Sequence, residues 1–205
     1  AWLNLEYDGT LTFLHEFSRR GDRRFFHEAE IAGRHWMDID QCHYPPSRIG
    51  AQHVHGPQGM GYKPQSGGGH AWVDGLLAFG HLFADPRARQ MGLNHGSAKL
   101  RQRLPVKYDD GTGGITQMSR EYGWPALAFL SLYADTWDQR YLEPARFYVE
   151  TFLQVPEPWP YYGSIPHLVD SAQGWMIQVV ALPIIEYYRL TGDKRFARAI
   201  TLYAE

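Results

Sequence analysis

The chain of 205 residues is long enough for one substantial hydrophobic core or two smaller ones. Its net charge of −2 gives no electrostatic signature of a nucleic-acid partner or an anionic membrane, and its single cysteine excludes an internal disulfide framework. The longest apolar run, from Trp175 to Ile185, is too short to span a bilayer. Because the sequence begins with neither a signal peptide nor a methionine, its compartment stays open, with secretion or a periplasm slightly favoured.

The sequence is predicted to be almost entirely helical, with eight helices grouped in four pairs. Pro86 stands at a first-turn position, where its missing N–H costs little, and Pro125 is predicted to do the same. Pro183 lies inside a helical pattern and is predicted to kink that helix or to free a carbonyl. In chain order, the predicted helices span residues 10–18, 24–37, 71–83, 86 to about 103, 124–134, 139–153, 172–190 and 194–204.

A four-fold repeat lies at the centre of these pairs. In each copy a short polar turn is followed by Asp-x-Arg, and the four aspartates stand 63, 53 and 55 residues apart. A period of this size around a short turn is typical of stacked helical hairpins. Each aspartate is predicted to cap the second helix of its hairpin; the four are Asp22, Asp85, Asp138 and Asp193.

Three long connections separate the hairpins, at residues 41–69, 105–119 and 155–170. Unstructured segments of this length are uncommon unless they serve a function. If the hairpins pack side by side in one orientation, these connections all emerge at the end opposite the short turns. We therefore expect the functional site at that end.

A second repeat marks the starts of three first helices, where a polar residue and a small residue precede a tryptophan. The small residue permits close helix approach, and the tryptophans are predicted to occupy equivalent packing positions. The polar residues would then surround a shared central opening. The three copies are His70-Ala71-Trp72, Tyr122-Gly123-Trp124 and Gln173-Gly174-Trp175.

The first long connection carries the densest proton-transfer chemistry of the chain. His53, His55, Tyr62, Lys63 and His70 lie within it or at its end, and imidazoles exchange protons near neutral pH. The three histidines could also ligate a metal, or form an ordinary structural network. Because neither Cys nor a carboxylate pair accompanies them at metal spacing, catalysis or substrate binding is preferred and no metal or other cofactor is expected.

Further candidate substrate-binding residues lie near the other connections. Arg120 is suited to pairing with a carboxylate, although a surface ion pair with Glu121 is equally plausible. Asp74 follows His70 by four residues, so the two are predicted to share one helical face. The remaining candidates are aromatic: Trp159, Tyr161 and Tyr162 could stack on a sugar, and Trp72 and Tyr122 come from the second repeat.

The segment from His53-Val54-His55-Gly56 to Gly69-His70-Ala71-Trp72-Val73-Asp74-Gly75, together with the Asp-x-Arg turns, resembles the α/α-toroid (six-hairpin) carbohydrate-active enzymes, in particular the exo-rhamnogalacturonan-lyase-like polysaccharide lyases. The resemblance implies an incomplete (α/α) toroid of about four helical hairpins. It also implies one domain over residues 1–205 that forms part of a larger enzyme. The missing hairpins would come from the rest of the chain or from a second copy.

The favoured function is polysaccharide lyase activity, the β-elimination of a uronic-acid glycan. Arg120 or Lys63 would neutralise the substrate carboxylate, while His55, His70, Tyr62 or His53 would move protons. The alternatives are a glycoside hydrolase that uses Asp74 and Glu121, a sugar epimerase, and a non-catalytic helical-repeat scaffold. The expected partner is a polysaccharide or oligosaccharide.

Overall fold

The structure, a computed structural model, describes residues 7–54, 61–62, 70–101, 118–153 and 176–204. These residues are helical apart from loops and one pair of two-residue strands, so the all-α prediction is confirmed for them. The chain divides into two compact units, Ala1–Gln102 and Arg103–Glu205. A single domain over residues 1–205 therefore stays a prediction. Among the described helices, none is long and apolar enough to cross a membrane.

The first unit contains two helical hairpins. The first helix of one hairpin packs against the first helix of the other, and each also packs against its own partner. The segment that joins the hairpins carries a short 3₁₀ helix, Pro46–Arg48, and an antiparallel strand pair. The elements are α1 (Gly9–Arg20), α2 (Arg23–Asp38), β1 (His53–Val54), β2 (Gly61–Tyr62), α3 (Asp74–Leu82) and α4 (Pro86–Arg101).

The second unit repeats this plan. Its two hairpins again pack through their first helices. Aromatic side chains fill its interior, where Phe129 lies with its ring centroid 6.4 Å from that of Tyr141 and 6.2 Å from that of Tyr148. The elements are α5 (Met118–Thr136), α6 (Gln139–Leu153), α7 (Met176–Thr191) and α8 (Lys194–Ala204).

The Asp-x-Arg prediction is confirmed in all four hairpins. Asp22, Asp85, Asp138 and Asp193 each accept a hydrogen bond from the backbone N–H two residues later, at 2.9–3.1 Å. The motif's arginine adds a contact that the cap alone does not predict. In three copies its guanidinium binds the capping carboxylate of its own turn, whereas Arg87 binds Asp38 at the end of α2.

The residue before each capping aspartate has left-handed backbone geometry. The φ angles are +68° at Gly21, +52° at Ala84, +56° at Trp137 and +69° at Gly192. Glycine adopts this conformation without a steric penalty, but side chains with a Cβ rarely do. The four turns are therefore equivalent in backbone, although only two carry the residue best suited to it.

The first helices of the two hairpins in each unit start at the same end. In the first unit, Asp8 caps α1 and accepts a hydrogen bond from Gly75, the second residue of α3. In the second unit, a Cβ on Gly123, near the start of α5, would lie 2.2 Å from the carbonyl oxygen of Val179, near the start of α7. The prediction that a small residue permits close helix approach is confirmed at Gly123.

Pro183 explains why the Val179 carbonyl is available to contact Gly123. Pro183 lies inside α7 as predicted, and its missing N–H leaves the carbonyl of Val179, four residues earlier, without its helical donor. That carbonyl faces the Cα of Gly123, a geometry suited to a weak Cα–H···O contact. Pro125 differs from its prediction, because α5 begins at Met118 and places this proline in the helix interior.

Candidate functional site

A small pocket, open to solvent, lies in the first unit where α1 and α3 begin and α2 ends. The short turns at Gly21 and Ala84 are at the opposite ends of these helices. The long connection from α2 to α3 leaves from the pocket end, so for the first unit the pocket is where the connection lengths predict a site. The side chains around it include those of Tyr7, Asp8, Thr10, His35, Trp36 and Trp72.

Two tryptophans form the buried wall of this pocket. Trp36 in α2 and Trp72 just before α3 are 2% and 5% exposed. The indole Nε1–H of Trp36 donates to the carbonyl oxygen of Trp72 at 3.3 Å, which ties the end of α2 to the start of α3. Indoles buried to this extent pack in the core, and their N–H groups usually find a hydrogen-bond partner there.

His35 and Asp40 form a close pair at the same end of α2. The imidazole Nδ1 of His35 lies 2.7 Å from Oδ2 of Asp40, and their side chains are 31% and 3% exposed. The backbone N–H of Asp40 also donates to the carbonyl oxygen of His35 at 3.3 Å. Since a carboxylate can only accept, Nδ1 carries the proton in this bond and Nε2 is the basic nitrogen of the neutral ring.

Asp8 is held by backbone donors rather than by a basic side chain. One carboxylate oxygen accepts from Leu11 N at 2.9 Å and the other from Gly75 N at 2.7 Å. Burial raises the pKa of this carboxyl group, while the two backbone hydrogen bonds and nearby His15 oppose that rise. α3 needs this donated cap, because its own N-cap residue, Val73, has no side-chain acceptor.

His95 supports the pocket wall from behind. Its ring lies edge-on to that of Trp36, with centroids 5.3 Å apart, and its Nδ1–H donates to the carbonyl oxygen of Gly50 at 2.9 Å. Burial lowers the pKa of His95 to about 3, with the charge of Lys99 acting in the same direction. The ring is therefore neutral, and its Nε2 is buried with no hydrogen-bond partner among the described residues.

Trp72 is the sequence-predicted residue that the structure places in this pocket. His70 and Asp74 flank it along the chain, but they do not share a helical face, because α3 begins only at Asp74. That prediction is wrong, since the helix starts where Asp8 can cap it. The pairing of β1 with β2 sets His53 directly opposite Tyr62, so two predicted catalytic residues are neighbours in the backbone ladder.

Other predicted site residues fall elsewhere. Arg120 and Glu121 lie in the first turn of α5, outside the side chains that the structure describes. Tyr122 is 3% exposed in the second unit and meets Tyr148 edge-on at 5.3 Å, and burial raises the pKa of its phenol. Five further residues lie outside the described ranges: His55, Lys63, Trp159, Tyr161 and Tyr162.

Most of the pocket residues have no recognisable signal in the sequence. Asp8 had a local signal, because an aspartate before Gly9-Thr10 is a favourable N-cap for the first helix. His35, Trp36 and Asp40 had no such signal, because they lie at an ordinary helix end and only the fold brings them close to Trp72.

Within the described parts of the chain, no group of three His, Cys, Asp or Glu side chains could hold a metal ion.

This arrangement leaves a small, mainly apolar depression with room for about one water molecule, about 10 Å³, behind which the two indoles and the Asp8 carboxylate are buried. No protein-family model, no curated protein and no solved structure matches the chain, so the chemistry of these residues carries the functional interpretation.

Proposed function

We propose that this chain belongs to a carbohydrate-active enzyme, a polysaccharide lyase that cleaves a uronic-acid-containing glycan of the pectin or rhamnogalacturonan type by β-elimination. The observation that supports the proposal is the repeated helical hairpin, with four equivalent turns and with first helices that pack together in each unit. This is the repeat unit expected of the (α/α) toroid that the sequence motifs resemble.

The hairpin arrangement supports the proposed (α/α) toroid. In each unit the first helices pack together and start at the same end, which is the local relationship between inner helices of such a ring. The four equivalent turns give the same repeat unit four times. Further hairpins, from more of the same protein or from a second copy, would close the ring.

The proposed reaction divides its tasks among several residues. A cation, Lys63 or Arg120, neutralises the uronate carboxylate and so acidifies the neighbouring C5–H. A base, for which His53, His55, His70 and Tyr62 are the sequence-derived candidates, removes that proton. The C5–H electrons form a C4=C5 double bond, the C4–O bond breaks, and the leaving oxygen takes up a proton. The sequence-derived candidates for holding sugars are aromatic: Trp72 in the first unit, and Tyr122, Trp159, Tyr161 and Tyr162 in the second.

The lyase proposal is tested by ultraviolet absorbance of the unsaturated uronide when the chain meets pectic and other uronic-acid polysaccharides. We expect an increase with the wild-type chain and its loss in His70→Ala. His27→Ala is the matched control, because His27 is a well-exposed histidine on α2, away from the pocket. No increase on any polymer would contradict the lyase proposal.

A glycoside hydrolase is the second candidate, and one observation favours it. Among the described lining residues of the pocket neither Lys nor Arg is present, and a bound uronate needs a cation whereas a neutral sugar does not. Hydrolases use carboxyl groups as acid and base or nucleophile. The same incubations distinguish the two candidates, since a hydrolase releases reducing ends without an unsaturated product.

A further inference from the structure

We infer that the exposed indole of Trp137 is a glycan-binding surface, a contact that holds the polysaccharide and takes no part in its cleavage. The choice of a sugar as the ligand rests on the proposed carbohydrate function. Trp137 lies in the turn between α5 and α6, at the end of these helices opposite to the one from which the connection to α7 leaves.

The exposure of Trp137 sets it apart from the other tryptophans whose burial the structure describes. It is 67% exposed, whereas Trp36, Trp72 and Trp124 are 2%, 5% and 8% exposed and belong to the core. Burial of apolar surface is favourable in proportion to the area removed from water, so an indole left in solvent forgoes that gain. The ring is therefore open to a ligand, and the C–H face of a pyranose would restore part of the gain.

The backbone of Trp137 carries a second cost. Its φ of +56° is the left-handed conformation that Gly21 and Gly192 adopt in two of the other turns. The capping hydrogen bond needs no side chain at this position, because both glycine turns form it as well. A conformational penalty and an exposed ring thus coincide at a position where glycine would suffice, and such a coincidence points to a use for the indole itself.

The turn also holds the indole in place before any ligand binds. The backbone N–H of Trp137 donates to the carbonyl oxygen of Tyr133 at 2.7 Å, and the two rings meet edge-on with centroids 5.4 Å apart. Tyr133 is itself 7% exposed, and its hydroxyl accepts from the amide of Gln139 at 3.4 Å. A ring that is already ordered loses little conformational entropy on binding.

The residues around Trp137 in the chain are polar, which favours a sugar over a protein partner. Thr136, Asp138 and Gln139 flank the indole, so the turn lacks the contiguous apolar centre of a protein interface. The side chain of Arg140 is 79% exposed, and its Nε and Nη2 donate to Asp138. No described residue accepts from its Nη1, and the hydroxyl and carboxylate oxygens of a uronic-acid glycan are suitable acceptors for it.

The test compares Trp137→Gly with Ala84→Gly, which makes the glycine substitution at the same position of another turn. We expect polygalacturonate or rhamnogalacturonan in a native gel to retard the wild type. Trp137→Gly should raise the Kd from this retardation at least about tenfold, as the loss of a central aromatic contact does. Ala84→Gly should bind like the wild type. Both variants should keep or raise the melting temperature, because glycine removes the backbone penalty, so unfolding cannot explain a loss of binding.

The binding measurement and the unsaturated-uronide assay separate this inference from the lyase function. A Trp137→Gly chain retarded as strongly as the wild type would overturn the glycan-binding surface and leave the lyase function standing. A wild type that forms unsaturated uronide but is retarded by neither polymer would do the same. Binding that depends on Trp137, without unsaturated product, would overturn the lyase function and support the surface.

Analytical ultracentrifugation tests the remaining explanation, a contact between copies of the chain. A wild type that self-associates, with Trp137→Gly monomeric and still retarded by the polymers, would assign the indole to a protein interface and overturn the inference. A monomeric wild type whose retardation is lost in Trp137→Gly supports it.

Discussion

The backbone N–H of Gly75 donates to the carboxylate of Asp8 at 2.7 Å, across 67 residues of sequence. The same carboxylate caps α1 through Leu11, so one side chain satisfies donors at the starts of two helices. A Cβ on Gly75 would lie 2.1 Å from Oδ1 of Asp8 and 2.8 Å from Leu11 N, so no other residue fits there without movement. This contact joins the two hairpins of the first unit at the pocket.

Gly75→Ala should therefore destabilise the protein by about 1–3 kcal/mol, the usual cost of forcing a methyl group into a packed site. Gly9→Ala is the matched control, because its added Cβ would meet no atom within 4 Å in the same region of the fold. We expect Gly9→Ala to be neutral or stabilising by up to about 1 kcal/mol. Urea unfolding measures both, and equal effects of the two substitutions would contradict the shared cap.

The left-handed backbone of the turns predicts that two substitutions change stability in opposite directions. Ala84→Gly should stabilise the protein by up to about 1 kcal/mol, because alanine at a φ of +52° carries a backbone penalty that glycine avoids. Gly21→Ala should destabilise it by a similar amount, since a Cβ there would meet no neighbouring atom and only the backbone conformation opposes it. Thermal unfolding should show changes of opposite sign; a shift in the same direction would refute the explanation.

The close approach of α5 and α7 predicts a second costly glycine substitution. Gly123→Ala would place its Cβ 2.2 Å from the Val179 oxygen and 2.7 Å from Cγ1 of Val179. We expect a loss of about 1–3 kcal/mol in the free energy of unfolding, despite alanine's better helix propensity. Gly9→Ala again provides the comparison. If Gly123→Ala has the same free energy of unfolding as the wild type, α5 and α7 can move apart at no cost and the close contact does not matter for stability.

His95 predicts a pH dependence of stability. Its pKa is about 3 in the fold and about 6.5 in an unfolded chain, so the unfolded state binds the extra proton between these values. Stability should therefore fall as the pH decreases, by about 2 kcal/mol from pH 7 to pH 5 for this residue alone. In His95→Gln the drop measured by urea unfolding at the two pH values should be smaller by that amount. An identical drop would show that His95 is not buried as a neutral ring.

Much of the helical framework was predictable because its signals are local. The Asp-x-Arg turns carry a capping carboxylate, and Asp22 and Asp193 follow a glycine that can adopt the left-handed conformation. The predicted bounds of α6 and α8 match those of the structure. The left-handed conformation of Trp137 could not be predicted, because nothing in its residue type indicates the φ of +56° that the turn imposes on it.

The pocket was not predictable because its contacts connect distant residues. Trp36 reaches Trp72 across 36 positions, and Asp8 reaches Gly75 across 67. The late start of α3 has the same cause, since its cap comes from another hairpin and not from its own N-cap residue, Val73. The end of the hairpins from which the long connection leaves could be predicted for the first unit, because each short turn occupies the other end. That this end holds a functional site stays a prediction.

The donated cap at Gly75 also has a consequence for the order of folding. Each hairpin closes over a turn of a few residues, a small entropic cost, whereas the bond from Asp8 to Gly75 must close a loop of 67 residues. We expect the hairpins to form before they dock. Chevron plots would then show Gly21→Ala acting partly on the folding rate, and Gly75→Ala acting mainly on the rate of unfolding. The contact that builds the pocket would be among the last to form and the first to open.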